Sequence, residues 1–356
     1  MVRRTHFRLC VLLAVRRRVG SAGHPRKIRA DSHSGCNRST RRIDSGKIEG
    51  MSRRRNLSGI ERRATFAGDP SLSAASPSKI PDQSRTQSAY SFQWNTFRIV
   101  RPEEDRATFQ NRTGLDPIDL AGQTVLDAGC GMGRYLRVVA EAGAVAVGMD
   151  LSRAVEAARD QTREYPGVSV VQGDLLRLPF ADGSFDQIYS LGVLDHTPDP
   201  RRAFLGLAKL LRPGGRIAIW VYPREKPRLE TIINIHRAIS RRLPLGVLVP
   251  FSRLMAPVGG LKRRLMASPN RLVSKAGVAL NLLTIGVSMH PDPEVRVCDT
   301  LDWYAPRYLS RHTPEEVRGW FEEAGLVDII DLSTQQNFFH AGQGNGVNFA
   351  GRRREG

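Results

Sequence analysis

The period of the hydrophobic pattern changes along the chain, and the changes mark elements. Val125-Leu126 is a short apolar run that leads through Asp127-Ala128 into Gly129, Gly131 and Gly133, a strand, a glycine loop and a helix start. Ala144 to Met149 is a second apolar run that delivers Asp150 at its carboxyl end, 23 positions after Asp127. Val168 to Gln172 reads as a third strand before Gly173-Asp174, and Phe185 to Leu194 as a fourth that runs into a loop. Asp199 predicts a helix cap with Pro200 at the first helical position. Phe204, Leu207, Leu210 and Leu211 then form a helical stripe that Pro213-Gly214-Gly215 stops, before a fifth strand over Arg216 to Tyr222. Thr313-Pro314-Glu315-Glu316 predicts a capping box opening a helix through Val317, Trp320 and Phe321. Leu326 to Leu332 reads as a sixth strand, and Asn337–His340, 342–345 and Val347–Ala350 as a closing hairpin. Strands that alternate with helices predict an α/β protein with a doubly wound sheet.

The glycine spacing narrows the ligand. Dinucleotide folds favour G-x-G-x-x-G, with backbone amides facing a pyrophosphate. Here the run is D-A-G-C-G-M-G, with an acid before the glycines. Asp127 repels a pyrophosphate and suits an ammonium and a nearby sulfonium. That charge argument favours S-adenosylmethionine over NAD. Asp150, at the end of the second strand, suits ribose hydroxyls.

The run Val125 to Gly133 resembles motif I of the class I S-adenosylmethionine-dependent methyltransferases. The order of the following stretches, closing on Leu211-Arg212-Pro213-Gly214-Gly215, is similar to the branch that includes quinone-biosynthesis enzymes. The resemblance covers residues 90 to 223 and resumes over 301 to 351. It implies a Rossmann-like seven-stranded sheet of order 3-2-1-4-5-7-6, with strand seven antiparallel. It also implies site residues: Asp127 with the loop Ala128, Gly129, Cys130, Gly131 and Gly133 at the methionine moiety, Asp150 at the ribose, Met149 and Leu151 beside the adenosine, Asp174 and Leu175 at the adenine. Ser190, Leu191 and Gly192 would line the wall near the sulfur. His196 is the candidate base, and Asp195 would orient it or touch the acceptor; the bland alternative is that His196 caps its loop. Related sequences often carry two histidines here, where this chain has Asp195-His196. No metal is expected. The activity implied is methyl transfer to a small-molecule or lipid-like acceptor by in-line displacement. The alternatives are a non-catalytic cofactor-binding regulator and an NAD-dependent oxidoreductase.

Residues 224–300 interrupt the strand succession and predict a helical cap between strands five and six. Residues 224–275 hold 12 Lys and Arg against 2 Asp and Glu, interleaved with Ile232, Ile233, Leu245, Leu248 and Leu254 and broken at Pro244, Pro250 and Pro257. Two readings stand: a solvated basic face over an apolar underside, and a surface for peripheral membrane contact or an anionic substrate. Tyr90 to Phe97 is either an aromatic lid on the cofactor or packing on the domain. Trp94, Tyr304 and Arg307 are further candidates for the acceptor pocket.

Charge alters this picture less than its size suggests. The chain of 356 residues carries a net charge of +19, but residues 1–90 hold 20 Lys and Arg against 6 Asp and Glu. The excess belongs to an Arg-, Ser- and Gly-rich tail, and no nucleic-acid-binding module is visible. Residues 1–86 are expected to be disordered. Within them, 1–50 also fit a transit segment or a start placed too early, with Met51 the true one. Leu9 to Val15 is too short to span a bilayer. The organisation expected is this tail, a cofactor-binding core over 87–223, the cap over 224–300 and the core's return over 301–356. The four cysteines, Cys10, Cys36, Cys130 and Cys298, lack metal-ligand spacing, and a reducing cytoplasm is the expected compartment. The sequence is silent on oligomeric state.

Overall fold

The computed structural model of the protein describes residues 81–333 and 346–356. The expected basic tail up to residue 80, with Cys10, Cys36 and the run Leu9–Val15, lies outside the described residues, as does most of the expected closing hairpin. Residues 81–86, read with that tail, open the first helix, α1 (Pro81–Thr96).

Seven strands form one sheet in the order β3-β2-β1-β4-β5-β7-β6, the order the resemblance implied. They are β1 (Thr124–Ala128), β2 (Val145–Asp150), β3 (Val168–Gln172), β4 (Phe185–Leu191), β5 (Leu211–Val221), β6 (Val327–Asp331) and β7 (Val347–Arg352). β1 to β5 pair in parallel, and β7 runs antiparallel to both β5 and β6. Alternate residues feed two cores. Leu126, Met149, Ile188 and Ile219 pack with Phe204 and Leu207 of α5 (Pro200–Lys209) and with Val317 and Phe321 of α10 (Pro314–Glu323). Val125, Ala146 and Tyr189 face the other way. They meet Phe109 of α2 (Pro102–Thr113), Leu136 of α3 (Arg134–Glu141) and Val155 of α4 (Ala154–Thr162). Each such buried Val, Leu, Ile, Met or Phe side chain contributes about 1.5–3 kcal/mol of transfer free energy.

Local chemistry sets the helix starts as the sequence predicts. Asp199 accepts from the Arg202 amide at 2.9 Å with Pro200 in the first turn, and Thr313 accepts from the Glu316 amide at 3.2 Å. The reciprocal half of the capping box is missing, because Glu316 turns to His312 and Arg224. One boundary moves. Leu211 is the first residue of β5, opposite Phe185, and Pro213-Gly214-Gly215 lies within that strand where its register against β4 shifts.

The cap is helical, as expected: α6 (Pro227–Ser240), α7 (Leu245–Met266), α8 (Arg271–Leu283) and α9 (Pro293–Tyr304). Pro250 and Pro257 were expected to break it, but α7 runs through both. An interior proline costs a helix about 3 kcal/mol. Here Leu248, Ser252, Ala256, Gly259 and Lys262 keep one continuous buried stripe past both prolines, so tertiary packing outweighs the local penalty. Lys262 is fully buried, and its ammonium donates to the carbonyls of Thr284 and Val287 at 3.1 and 2.8 Å, closing the end of α8 onto α7. No helix among the described residues is long and apolar enough to cross a membrane.

Candidate active site

The connections after β1 and β4 leave on opposite faces of the sheet, so a crevice opens at their carboxyl ends. The glycine loop fills the edge of this crevice. Gly129 has φ +96°, and a Cβ there would lie 2.3 Å from Cγ1 of Val193, so only glycine fits. The amides of Gly129 and Cys130 donate to the Met149 carbonyl at 2.7 and 3.0 Å, tying the loop to β2. Gly131 donates its amide to Oδ2 of Asp150 at 3.0 Å. The other oxygen of Asp150 accepts from the amide and hydroxyl of Ser152 at 2.8 and 2.7 Å. Burial raises the Asp150 pKa, and these donors oppose it.

Asp127 is different. It is 3% exposed, and its Oδ2 is buried without a hydrogen-bond partner. Burial pushes its carboxyl up to about 8. An acid held in that state favours a cation beside it, because the cation offsets the cost of ionisation.

A cavity of about 150 Å³ opens in front of this loop. Asp127, Asp150, Asp299 and Asp302 line it together with Arg112 and Arg134, and Trp94 and Trp220 are among its aromatic walls. The Arg112 guanidinium lies 4.1 Å from the centre of the Trp220 ring. The donor set fits a cofactor that joins a ribose, an ammonium and a carboxylate, with an acid for the first two and two guanidinium groups for the third.

His196 also lines this cavity and is 7% exposed. Its Nδ1 lies 3.0 Å from the Tyr308 carbonyl. A carbonyl only accepts, so Nδ1 carries the proton and Nε2 keeps its lone pair. Nε2 is buried with no hydrogen-bond partner. Burial lowers the pKa of the ring, which favours the neutral form. The Tyr90 ring stands edge-on to His196, with centroids 5.2 Å apart.

A second cavity of about 290 Å³ lies under the cap and shares Trp220, Tyr222, Asp299 and Asp302 with the first. Its other walls are largely apolar, among them Leu229 and Ile233 of α6, Ile285 and Trp303. Asp302 accepts from the Tyr222 hydroxyl at 3.2 Å, and Asp299 accepts from the Ser288 hydroxyl at 2.9 Å.

The structure brings Asp127, Gly129, Cys130, Gly131, Asp150, Leu191, Gly192 and His196 to the first cavity. The other cofactor-binding and catalytic candidates do not line it. Ser190 donates to the Ala128 carbonyl at 2.8 Å and joins β4 to β1. Gly133 caps α3 against α4. The Leu151 carbonyl accepts from Gln87 and Gln172 at 3.0 Å each. Asp174 accepts from the Leu176 amide at 2.9 Å, and Leu175 joins the core. Asp195 is fully buried; its carboxylate accepts from the Tyr222 amide at 3.1 Å, and burial raises its pKa. Of the acceptor-pocket candidates, Trp94 lines the first cavity. Tyr304 instead donates to the Ile285 carbonyl inside the cap, and the Arg307 amide donates to Thr86 at 3.2 Å. Sequence reasoning missed Arg112, Arg134, Tyr222 and Asp299. Arg134, directly after the last loop glycine, carried a signal; Tyr222 and Asp299 enter only through tertiary packing.

Residues 126–219 match the family described as a methyltransferase domain. Methyltransferase GfsG of Streptomyces halstedii is 41% identical over 104 residues, 28% of this chain and 37% of that protein. The probable tRNA methyltransferase 9B of Mus musculus is 36% identical over 131 residues, 34% of this chain and 28% of that protein. The chain thus spans about a third of the length of these two relatives. Ubiquinone biosynthesis O-methyltransferase of Ralstonia nicotianae is 37% identical over 182 residues, 49% of this chain and 74% of that protein. With a glycine loop flanked by Asp127 and Asp150, the 3-2-1-4-5-7-6 sheet and this similarity over most of a relative's length, the chain belongs to the class I S-adenosylmethionine-dependent methyltransferases.

Proposed function

We propose that the protein transfers a methyl group from S-adenosylmethionine to a small-molecule or lipid-like acceptor held between the sheet and the cap. The observation that supports this best is the buried carboxylate of Asp127, whose Oδ2 lacks a partner beside the first cavity. The cofactor, when bound, supplies a methyl group already activated by the positive charge on sulfur. The protein's work is then to bind, align and exclude water.

Asp127 takes the ammonium, and Arg112 and Arg134 take the carboxylate of the methionine moiety. Asp150, held by Gly131 and Ser152, takes the ribose. Asp174 and Leu175, on the loop after β3, are the residues proposed for the adenine end. His196 removes the acceptor's proton at Nε2, the nitrogen that the Tyr308 carbonyl leaves unprotonated. Asp195 acts on structure, through Tyr222 and the loop. The acceptor's body occupies the chamber under the cap, which shares Trp220 and Tyr222 with the cavity that His196 lines.

Thermal-shift titration with S-adenosylmethionine, S-adenosylhomocysteine and NAD tests the cofactor. Stabilisation by the first two supports the proposal, and stabilisation by NAD alone overturns it. Incubating cell extract with methyl-labelled S-adenosylmethionine and the protein, followed by mass spectrometry, identifies the acceptor. A labelled product absent from the Asp127→Asn reaction is the expected result.

A further inference from the structure

The cap leaves one pair of helices half covered. α7 buries the stripe Leu248, Ser252, Ala256, Gly259 and Lys262. On the opposite side of the same helix, Val247, Pro250, Leu254, Pro257 and Leu261 recur at intervals of three and four and are all exposed. α8 buries still less: Gly277, against Leu265 and Met266 of α7, is its one buried residue. Leu272, Val278, Leu282 and Leu283 of α8 stay exposed. Leu254, Leu272 and Leu283 are 70–77% exposed. Large apolar side chains grouped in this way mark a contact surface, whereas scattered ones do not.

Charge selects the partner. No acid occurs between Glu230 and Asp292. Arg253, Arg263, Arg264, Arg271 and Lys275 stand exposed on or beside the two helices, and none forms an ion pair among the described residues. A second copy of the chain is itself cationic, with a net charge of +19, and the tail before residue 81 holds 19 Lys and Arg against 5 Asp and Glu. Repulsion therefore opposes both as occupants. A nucleic acid matches the charge but offers exposed leucines no apolar phase. An anionic bilayer offers both, headgroups for the arginines and an acyl boundary for the leucines.

We infer that the α7–α8 hairpin docks on an anionic lipid bilayer, with Leu254, Leu272 and Leu283 entering the acyl boundary and the basic side chains held at the headgroups. Neither helix is long and apolar enough to cross a membrane, so this contact is peripheral. The docked helix also borders the chamber under the cap. Asn281 and Leu282 of α8 line the second cavity, and Leu283 follows directly. A lipid-borne acceptor then passes from the bilayer into the chamber along α8. That use rests on the methyltransferase reading; the docking itself does not.

Vesicle flotation of the full-length protein tests the inference, with phosphatidylcholine alone and with phosphatidylcholine containing about one third phosphatidylglycerol. The anionic vesicles are expected to bind at least about tenfold more tightly than the neutral ones, and less tightly at high salt. Leu254→Ser, Leu272→Ser and Leu283→Ser together should weaken that binding at least about tenfold. Arg253→Gln, Arg264→Gln and Arg271→Gln together should do the same. All six positions are exposed, so both variants should fold, which circular dichroism checks; the single substitutions serve should a triple variant fail. Absence of binding to anionic vesicles overturns the inference, whether the face then takes a nucleic acid or a second copy. So does equal binding to both vesicle types, or binding that either variant leaves unchanged, which places the contact elsewhere in the chain. In solution, S-adenosylhomocysteine should bind wild type and leucine variant with Kd values within about twofold. Its failure to bind the wild type overturns the methyltransferase reading and leaves the vesicle result standing.

Discussion

The two cavities share a wall but are built by different means. The first is shaped by backbone: glycines at positive φ, amides that bond to β2, and acids delivered at strand ends. The second is shaped by side chains from several cap helices, and its walls depend on how those helices pack. Backbone geometry tolerates few substitutions, whereas packed apolar walls tolerate many of similar volume. A protein divided in this way can keep its cofactor site fixed while its acceptor chamber varies.

The comparison can be broken most severely at Gly129. Gly129→Val should destabilise the fold by at least about 3 kcal/mol and abolish cofactor binding, because the new side chain overlaps Val193. Urea denaturation and calorimetry read both effects. His196→Gln comes next. It should lower kcat by about 10²–10⁴ while the cofactor's Kd stays within about twofold, which separates the chemistry from the glycine loop.

Asp127→Asn should weaken cofactor binding by about a hundredfold, roughly 3 kcal/mol. It should also change the pH dependence of the cofactor-free protein. Burial raises the Asp127 pKa in the folded state to about 8, above its value in the unfolded chain. The stability linked to this group is therefore full below about pH 4 and lost as pH rises through about 8. Asparagine removes that slope, which a denaturation series from pH 5 to 9 detects. Asp195→Ala should cost about 1–3 kcal/mol by leaving the Tyr222 amide unpaired, with the cofactor's Kd unchanged. The smallest effect belongs to Arg201→Ala, far from both cavities. Its exposed pair with Glu323 contributes under about 1 kcal/mol.

The sheet was legible in the sequence because its signals are local. Val125 to Gly133 writes strand, loop and helix start in nine consecutive residues, and Asp199-Pro200 writes a helix start in two. The acids at the ends of β1 and β2 were legible for the same reason. The acceptor side was not. Asp299 sits on a cap helix and reaches the site only through the packing of α9 on α7 and α1. Asp195 was misleading as a neighbour of His196 in sequence. Its carboxylate turns to the Tyr222 amide, while a carbonyl more than a hundred residues away orients the imidazole. Pro250 and Pro257 misled in the opposite sense, since a strong local signal yielded to a buried stripe.

The central claim is that one buried carboxylate reads the positive end of the methyl donor. Calorimetric titration of S-adenosylhomocysteine at pH 7, in two buffers of different ionisation enthalpy, tests it directly. With an Asp127 pKa of about 8 before binding, the wild-type protein should release about one proton per ligand bound. Asp127→Asn should release none and bind about a hundredfold more weakly. The same affinity and the same proton release in both proteins would contradict the account.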